Sequence, residues 1–233
     1  MSKESLTICL TELGKRFRKL SGKKMPAEVI LIGGASVLLN YGFRDATYDA
    51  DAIILASSVM REAINYVRNE FGLPHDWLNE GVKRTASYSD KLVEVSVYYK
   101  RFSNIMTVRT VAAEYLIAMK AMSGRQYKYD LSDIVGILWE HEKSGNPITK
   151  EAVNDAIAKL YAEKQIPEVS AKLINDVFRH GNYEQFYADV RKSETDAKEL
   201  LLEFDKNNPG ELRGESINSV LEKMRQHVEE SKL

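Results

Sequence analysis

Asp49 and Asp51 stand two residues apart in a stretch, residues 50–55 with its flank, that reads as a β-strand. Side chains at i and i+2 of a strand leave from the same face. Their Cα atoms would then be roughly 6–7 Å apart. Carboxylates aimed together repel, and each raises the pKa of the other unless a cation neutralises them. Magnesium (Mg2+, or Mn2+ in its place) suits such a pair, because it takes oxygen ligands and accepts one or two carboxylates alongside substrate phosphates. Two such ions about 3.5–4 Å apart can hold the attacking and leaving oxygens of a phosphoryl displacement. Upstream, Gly33-Gly34 ends the apolar run at residues 28–32. Without Cβ atoms, these glycines let the backbone approach a polyphosphate, and amides at the start of a following helix can bind its oxygens. Ser36 offers a hydroxyl there, either to phosphate or as a helix-start residue. A bland reading makes the two aspartates solvated residues at the start of a strand, but Asp is depleted in strands. The chain has no GxxxxGK[ST] loop, and GGAS does not match GxGxxG.

The elements around these residues follow from hydrophobic period. Leu6, Leu10, Leu13, Phe17 and Leu20 predict a helix over residues 3–20. A buried strand at 28–32, a brief helix at 35–41, a strand at 50–55 and a helix running to about 71 come next. Residues 91–99 alternate, with Val93, Val95, Val97 and Tyr99 on one face and Leu92, Glu94, Ser96 and Tyr98 on the other. Residues 105–109 predict a further strand. From Val111 onward the pattern is helical, punctuated at Pro147, Pro167, Gly181 and Pro209-Gly210, with a polar terminal helix over about 216–230. The expected fold is α/β (α+β): a small mixed β-sheet core over residues 1–109, then a helical C-terminal region over 110–233 that completes the pocket.

The chain has 233 residues, 44% apolar and 29% charged, with formal net charge −1. That is an ordinary globular composition and excludes a surface that is basic throughout. Cys9 is the single cysteine, and His75, His141, His180 and His227 are scattered, so no zinc-ligand spacing exists. No secretory leader or membrane span is read, and the expected location is cytoplasmic.

A Gly-Gly turn after a strand, a short helix and Asp-x-Asp on the next strand resemble the nucleotidyltransferase (polymerase beta-like) superfamily. The run Ala113-Glu114-Tyr115-Leu116-Ile117-Ala118-Met119-Lys120, then Gly124-Arg125 and Lys128-Tyr129-Asp130-Leu131-Ser132-Asp133-Ile134, resembles the minimal bacterial nucleotidyltransferases of abortive-infection and type IV toxin–antitoxin systems. The resemblance covers about residues 28–140. It implies metal-dependent transfer of NMP from an NTP to an acceptor hydroxyl on RNA, protein or a small molecule, and an antitoxin-like partner protein, with no membrane association. By the resemblance, Asp49 and Asp51 are the catalytic, metal-binding pair, and Gly33, Gly34 and Ser36 form the triphosphate turn. Lys120 meets the phosphates, and Asp130 and Asp133 lie beside the nucleotide. The superfamily's third carboxylate has no clear counterpart, and Glu94 is the candidate. The structural alternatives are an exposed helix lysine at 120, ordinary salt bridges at 130 and 133, and a solvated Glu94. A reading from another class is a catalytically degenerate interaction module that kept the fold and binds a partner protein.

Overall fold

A computed structural model describes residues 1–22, 24–162, 164–212 and 217–230. At its centre lies β1 (Ala27–Leu31), whose four apolar residues are shared between two apolar layers. Val29 and Leu31 enter the layer made by α1 (Lys3–Leu20) and α3 (Val59–Phe71), with Leu6, Leu10, Leu13, Phe17, Met60 and Val67. Ile30, with Ile32 just beyond the strand, enters the opposite layer. That layer comes from α4 (Ala113–Ser123), α5 (Asp130–Lys143), α6 (Lys150–Tyr161) and α7 (Glu168–His180). A strand covered on both faces reads as a continuous apolar run, which is why Val29 to Ile32 show no alternation. Leu6, Leu10, Leu13 and Phe17 are wholly buried, and each such side chain contributes about 1.5–3 kcal/mol.

The sheet runs β3-β2-β1-β5-β4. β2 (Ala50–Leu55) is antiparallel to β1, while β5 (Met106–Val111) is parallel to it. The short β3 (Leu78–Asn79) pairs with the start of β2, and β4 (Ser96–Phe102) is antiparallel to β5. α2 (Gly33–Asn40) begins two residues after β1 ends. On the helical side, α8 (Tyr183–Asn207) packs along α5, and α9 (Ile217–Glu230) contacts α8. The terminal helix is therefore present, although Ser216, its expected first residue, lies outside the described residues.

One strand differs from expectation. Asp90–Leu92 form a 3-10 turn, residues 93–95 continue as a turn, and β4 starts only at Ser96. Leu92 and Val95 are both buried, and a three-residue interval between buried side chains fits a turn of helix, not a pleat. The change of period reverses the parity beyond it: Ser96 is buried while Val97 is exposed. Cys9 is buried in the α1 layer. No helix among the described residues is long and apolar enough to cross a membrane.

Candidate active site

Asp51 sits second in β2, half-buried between the fully buried Ala50 and Ala52, and Asp49 immediately precedes the strand. The strand parity that buries the alanines thus turns both carboxylates toward one cavity. The Ile32 amide donates to the Asp51 carbonyl at 2.9 Å, which sets the glycine turn beside them. Gly33 has φ +55°, and a Cβ placed there would lie 3.8 Å from Asp51 Oδ2. Gly34 faces a closer approach: its Cβ would stand 2.9 Å from both Arg44 Nη2 and Thr47 Oγ1. Thr47 in turn donates from its hydroxyl to the Asp49 carbonyl at 2.9 Å, fixing the loop that leads to the acidic pair. Burial, and next the Asp49 carboxylate, push the Asp51 carboxyl above the ordinary carboxylate range, against the pull of Arg125, Lys120 and Lys128.

Opposite this pair lies a buried ionic network. Lys120 Nζ is 2.8 Å from Asp130 Oδ1 and 2.7 Å from Asp133 Oδ2. Arg125 Nε donates to Asp130 Oδ2 at 2.7 Å, and Arg44 pairs with Asp133. Asp130 and Asp133 occupy the first turn of α5, one helical turn apart, so both meet the α4 lysine. Burial alone would raise Asp130, but Lys120 and Arg125 hold it well below the usual carboxylate range. Lys120 is likewise kept charged: burial opposes the charge, and Asp130 and Asp133 outweigh it. Three cations against two carboxylates leave the network net positive, as a polyphosphate seat requires.

Two further contacts fasten this network. Phe43, the neighbour of Arg44, lies so close to α5 that a Cβ on Gly136 would come within 2.7 Å of its ring, and Tyr187 donates to the Phe43 carbonyl at 3.1 Å. Glu194 of α8 accepts from the amides of Leu131 and Ser132 at 2.9 and 3.2 Å, capping α5 at its N-terminus. Burial pushes Glu194 up to about 7 despite those hydrogen bonds.

The acidic pair and the cations of the network border one cavity of about 680 Å³, within the size range of small-molecule sites. Its lining includes Gly34, Arg44, Asp49, Asp51, Lys120 and Arg125. Arg44, Arg191 and Lys198 are site residues that the sequence reading missed. Arg191 Cζ lies 3.5 Å from the centroid of the Tyr129 ring, and Lys198 Nζ donates to the Tyr48 hydroxyl at 2.6 Å. Tyr129 adopts φ +63°, an uncommon conformation for a residue with a side chain, just before Asp130.

Five expected site residues do not line the cavity: Gly33, Asp130, Asp133, Ser36 and Glu94. The turn at Gly33 stands beside Asp51, and Asp130 and Asp133 are wholly buried in their pairs with Lys120, Arg125 and Arg44. The Ser36 side chain is wholly buried and accepts from the Val111 amide at 3.2 Å. It therefore joins α2 to the end of β5 and does not line the cavity. Glu94 is exposed in the turn before β4 and is also absent from the cavity wall. The 3-10 turn at 90–92 removes it from the strand on which it was expected to project. Among the described residues no three His, Cys, Asp or Glu side chains converge as a metal cluster. The donor set that could hold a hard cation is Asp49 with Asp51, a two-carboxylate site whose remaining ligands would be water or phosphate.

A family described as a nucleotidyltransferase of unknown function (DUF6036) matches residues 9–180. That span includes the glycine turn, the acidic pair and the whole α4–α5 network. The chain belongs to this family. No curated protein and no solved structure matches it. Membership bears out the resemblance to nucleotidyltransferases. The match does not reach α8 and α9, which lie after residue 180.

Proposed function

We propose that this nucleotidyltransferase moves NMP from an NTP to an acceptor hydroxyl, dependent on Mg2+ or Mn2+. The observation that carries the proposal is the common cavity. Asp49 and Asp51, unneutralised by any described ion pair, face it together with Gly34 and the cations of the Lys120 network. In the reaction the acceptor oxygen forms a bond to the α-phosphorus and gives up its proton to solvent, while the bond to the bridging oxygen breaks and pyrophosphate leaves. Lys120, Arg125 and Arg44 oppose the charge of the triphosphate, and their pairing with the buried Asp130 and Asp133 holds them in place before substrate arrives. Asp49 and Asp51 would hold the metal, which supplies charge neutralisation to the attacking and leaving oxygens. A bound cation would also relieve the repulsion that raises Asp51.

The acceptor class we leave as a hydroxyl of RNA, protein or a small molecule. A phage-defence or toxin–antitoxin setting, with a partner protein restraining the activity, is the context we propose from the resemblance of residues 113–134. The test is incubation of the protein with each α-labelled NTP, magnesium, and bulk RNA or cell protein. Transfer of label that disappears in the Asp49→Ala, Asp51→Ala double variant supports the reading. Nucleotide binding without transfer to any acceptor supports a degenerate, partner-binding module instead.

A further inference from the structure

The cavity is lined by two chemically distinct sets of residues. Asp49, Asp51, Lys120 and Arg125 bring charge to it, whereas Tyr127, Leu201, Leu202, Leu212 and Ile217 bring apolar surface, with Lys198 and Asp205 on the same helix as the two leucines. All of these apolar residues but Leu202 belong to a small cluster of their own, separate from the two main layers. Leu201 is buried with Ala197 and Leu221, and Tyr127, Leu212 and Ile217 pack against it half-buried. Leu202, beside it on α8, is 61% exposed. Exposed apolar surface inside a cavity that otherwise seats charge marks a ligand with an apolar part.

We infer that this apolar wall, formed by Leu201 and Leu202 of α8 with Leu212, Ile217 and Tyr127, is the seat of the nucleobase of the bound NTP. The inference rests on the nucleotidyltransferase reading. An NTP carries the same two chemistries as the lining: charged phosphates and a flat, uncharged ring. With the triphosphate against the charged residues, the base lies against Tyr127 and Leu202, where an aromatic face and a leucine side chain exclude water from it. Every residue of the wall except Tyr127 lies beyond the family-matched span, 9–180. The family core thus supplies the phosphate and metal chemistry, while this chain's own C-terminal helices determine which nucleoside is held.

The experiment is calorimetric titration of the full chain, with magnesium, by each of the four NTPs and by ribose 5′-triphosphate, which lacks only the base. At least one NTP is expected to bind about tenfold tighter than ribose triphosphate. Tyr127→Ala and Leu202→Ala should each erase most of that difference and leave ribose triphosphate binding unchanged. Leu202 is exposed, so its variant folds. Equal binding of ribose triphosphate and all four NTPs overturns the seat, as does an NTP advantage that survives both variants or a loss common to both ligand types. Binding of neither ligand instead removes the nucleotidyltransferase reading beneath it.

Discussion

Gly34 and Arg44 meet so closely that a single methyl group at residue 34 would stand 2.9 Å from the arginine's Nη2. The arginine cannot simply swing aside, because the same guanidinium pairs with the buried Asp133. Thr47 Oγ1 blocks the methyl on the other side, also at 2.9 Å. Gly34→Ala is expected to cost about 1–3 kcal/mol of stability by overpacking. It should weaken NTP binding at least roughly tenfold, since about 1.4 kcal/mol lost at the phosphate seat is enough. Urea unfolding and NTP titration of the one variant check both. Unchanged NTP affinity would detach the glycine turn from the phosphate seat.

Ser36 and Glu94 should behave unlike the cavity residues. Ser36→Ala leaves the Val111 amide without its buried acceptor and is expected to lose about 1–3 kcal/mol of stability, with NTP affinity kept. Glu94→Ala, on an exposed turn, should change stability by less than about 0.5 kcal/mol and leave transfer rates unaltered. A large fall in transfer with E94A would return Glu94 to the catalytic set.

Much of this site can be read along the chain because its parts are local. The aspartates share a face through the two-residue period of β2, and Asp130 and Asp133 share one through the helical period of α5. Lys120 is ten residues from Asp130, joined by a short turn at Gly124. Glu94 misled because alternation over residues 91–99 looks continuous, while burial of Leu92 and Val95 winds that segment into turns. Ser36 has the residue type of a phosphate donor, and only its tertiary contact with Val111 shows its role. Arg44, Arg191 and Lys198 carry no local signal. The first depends on an approach across Gly34, and the others return from α8, well over a hundred residues after the acidic pair.

The buried pairing of Asp130 sets an acid limit. Asp130→Asn leaves Lys120 and Arg125 short of a partner and should cost about 3–5 kcal/mol. Because the folded-state pKa of Asp130 is depressed, its contribution is fully present above the unfolded value near about 4. It is lost as pH falls below that toward the depressed value. Denaturant melts between pH 2 and 7 should show D130N lacking part of the wild-type loss at acid pH.

Glu194 has the opposite sign. Its folded-state value, pushed up to about 7, exceeds the unfolded value near about 4.3. Between these the folded state binds the extra proton, so stability declines as pH rises through that window. The expected decline is on the order of 2–3 kcal/mol. Glu194→Gln should be flat over the same window, though less stable at pH 5 for want of one good acceptor at the α5 N-terminus. A wild-type slope retained in E194Q would assign the titration to another group.

The central claim, that Asp49 and Asp51 share a cation beneath a triphosphate seated on Gly33 and Gly34, is tested most directly by anomalous diffraction from crystals soaked with Mn2+ and a non-hydrolysable NTP. The account predicts a manganese peak bridging the two carboxylates, with phosphate oxygens completing its shell and Lys120 and Arg125 facing the polyphosphate. Nucleotide density with manganese held away from both aspartates would contradict it.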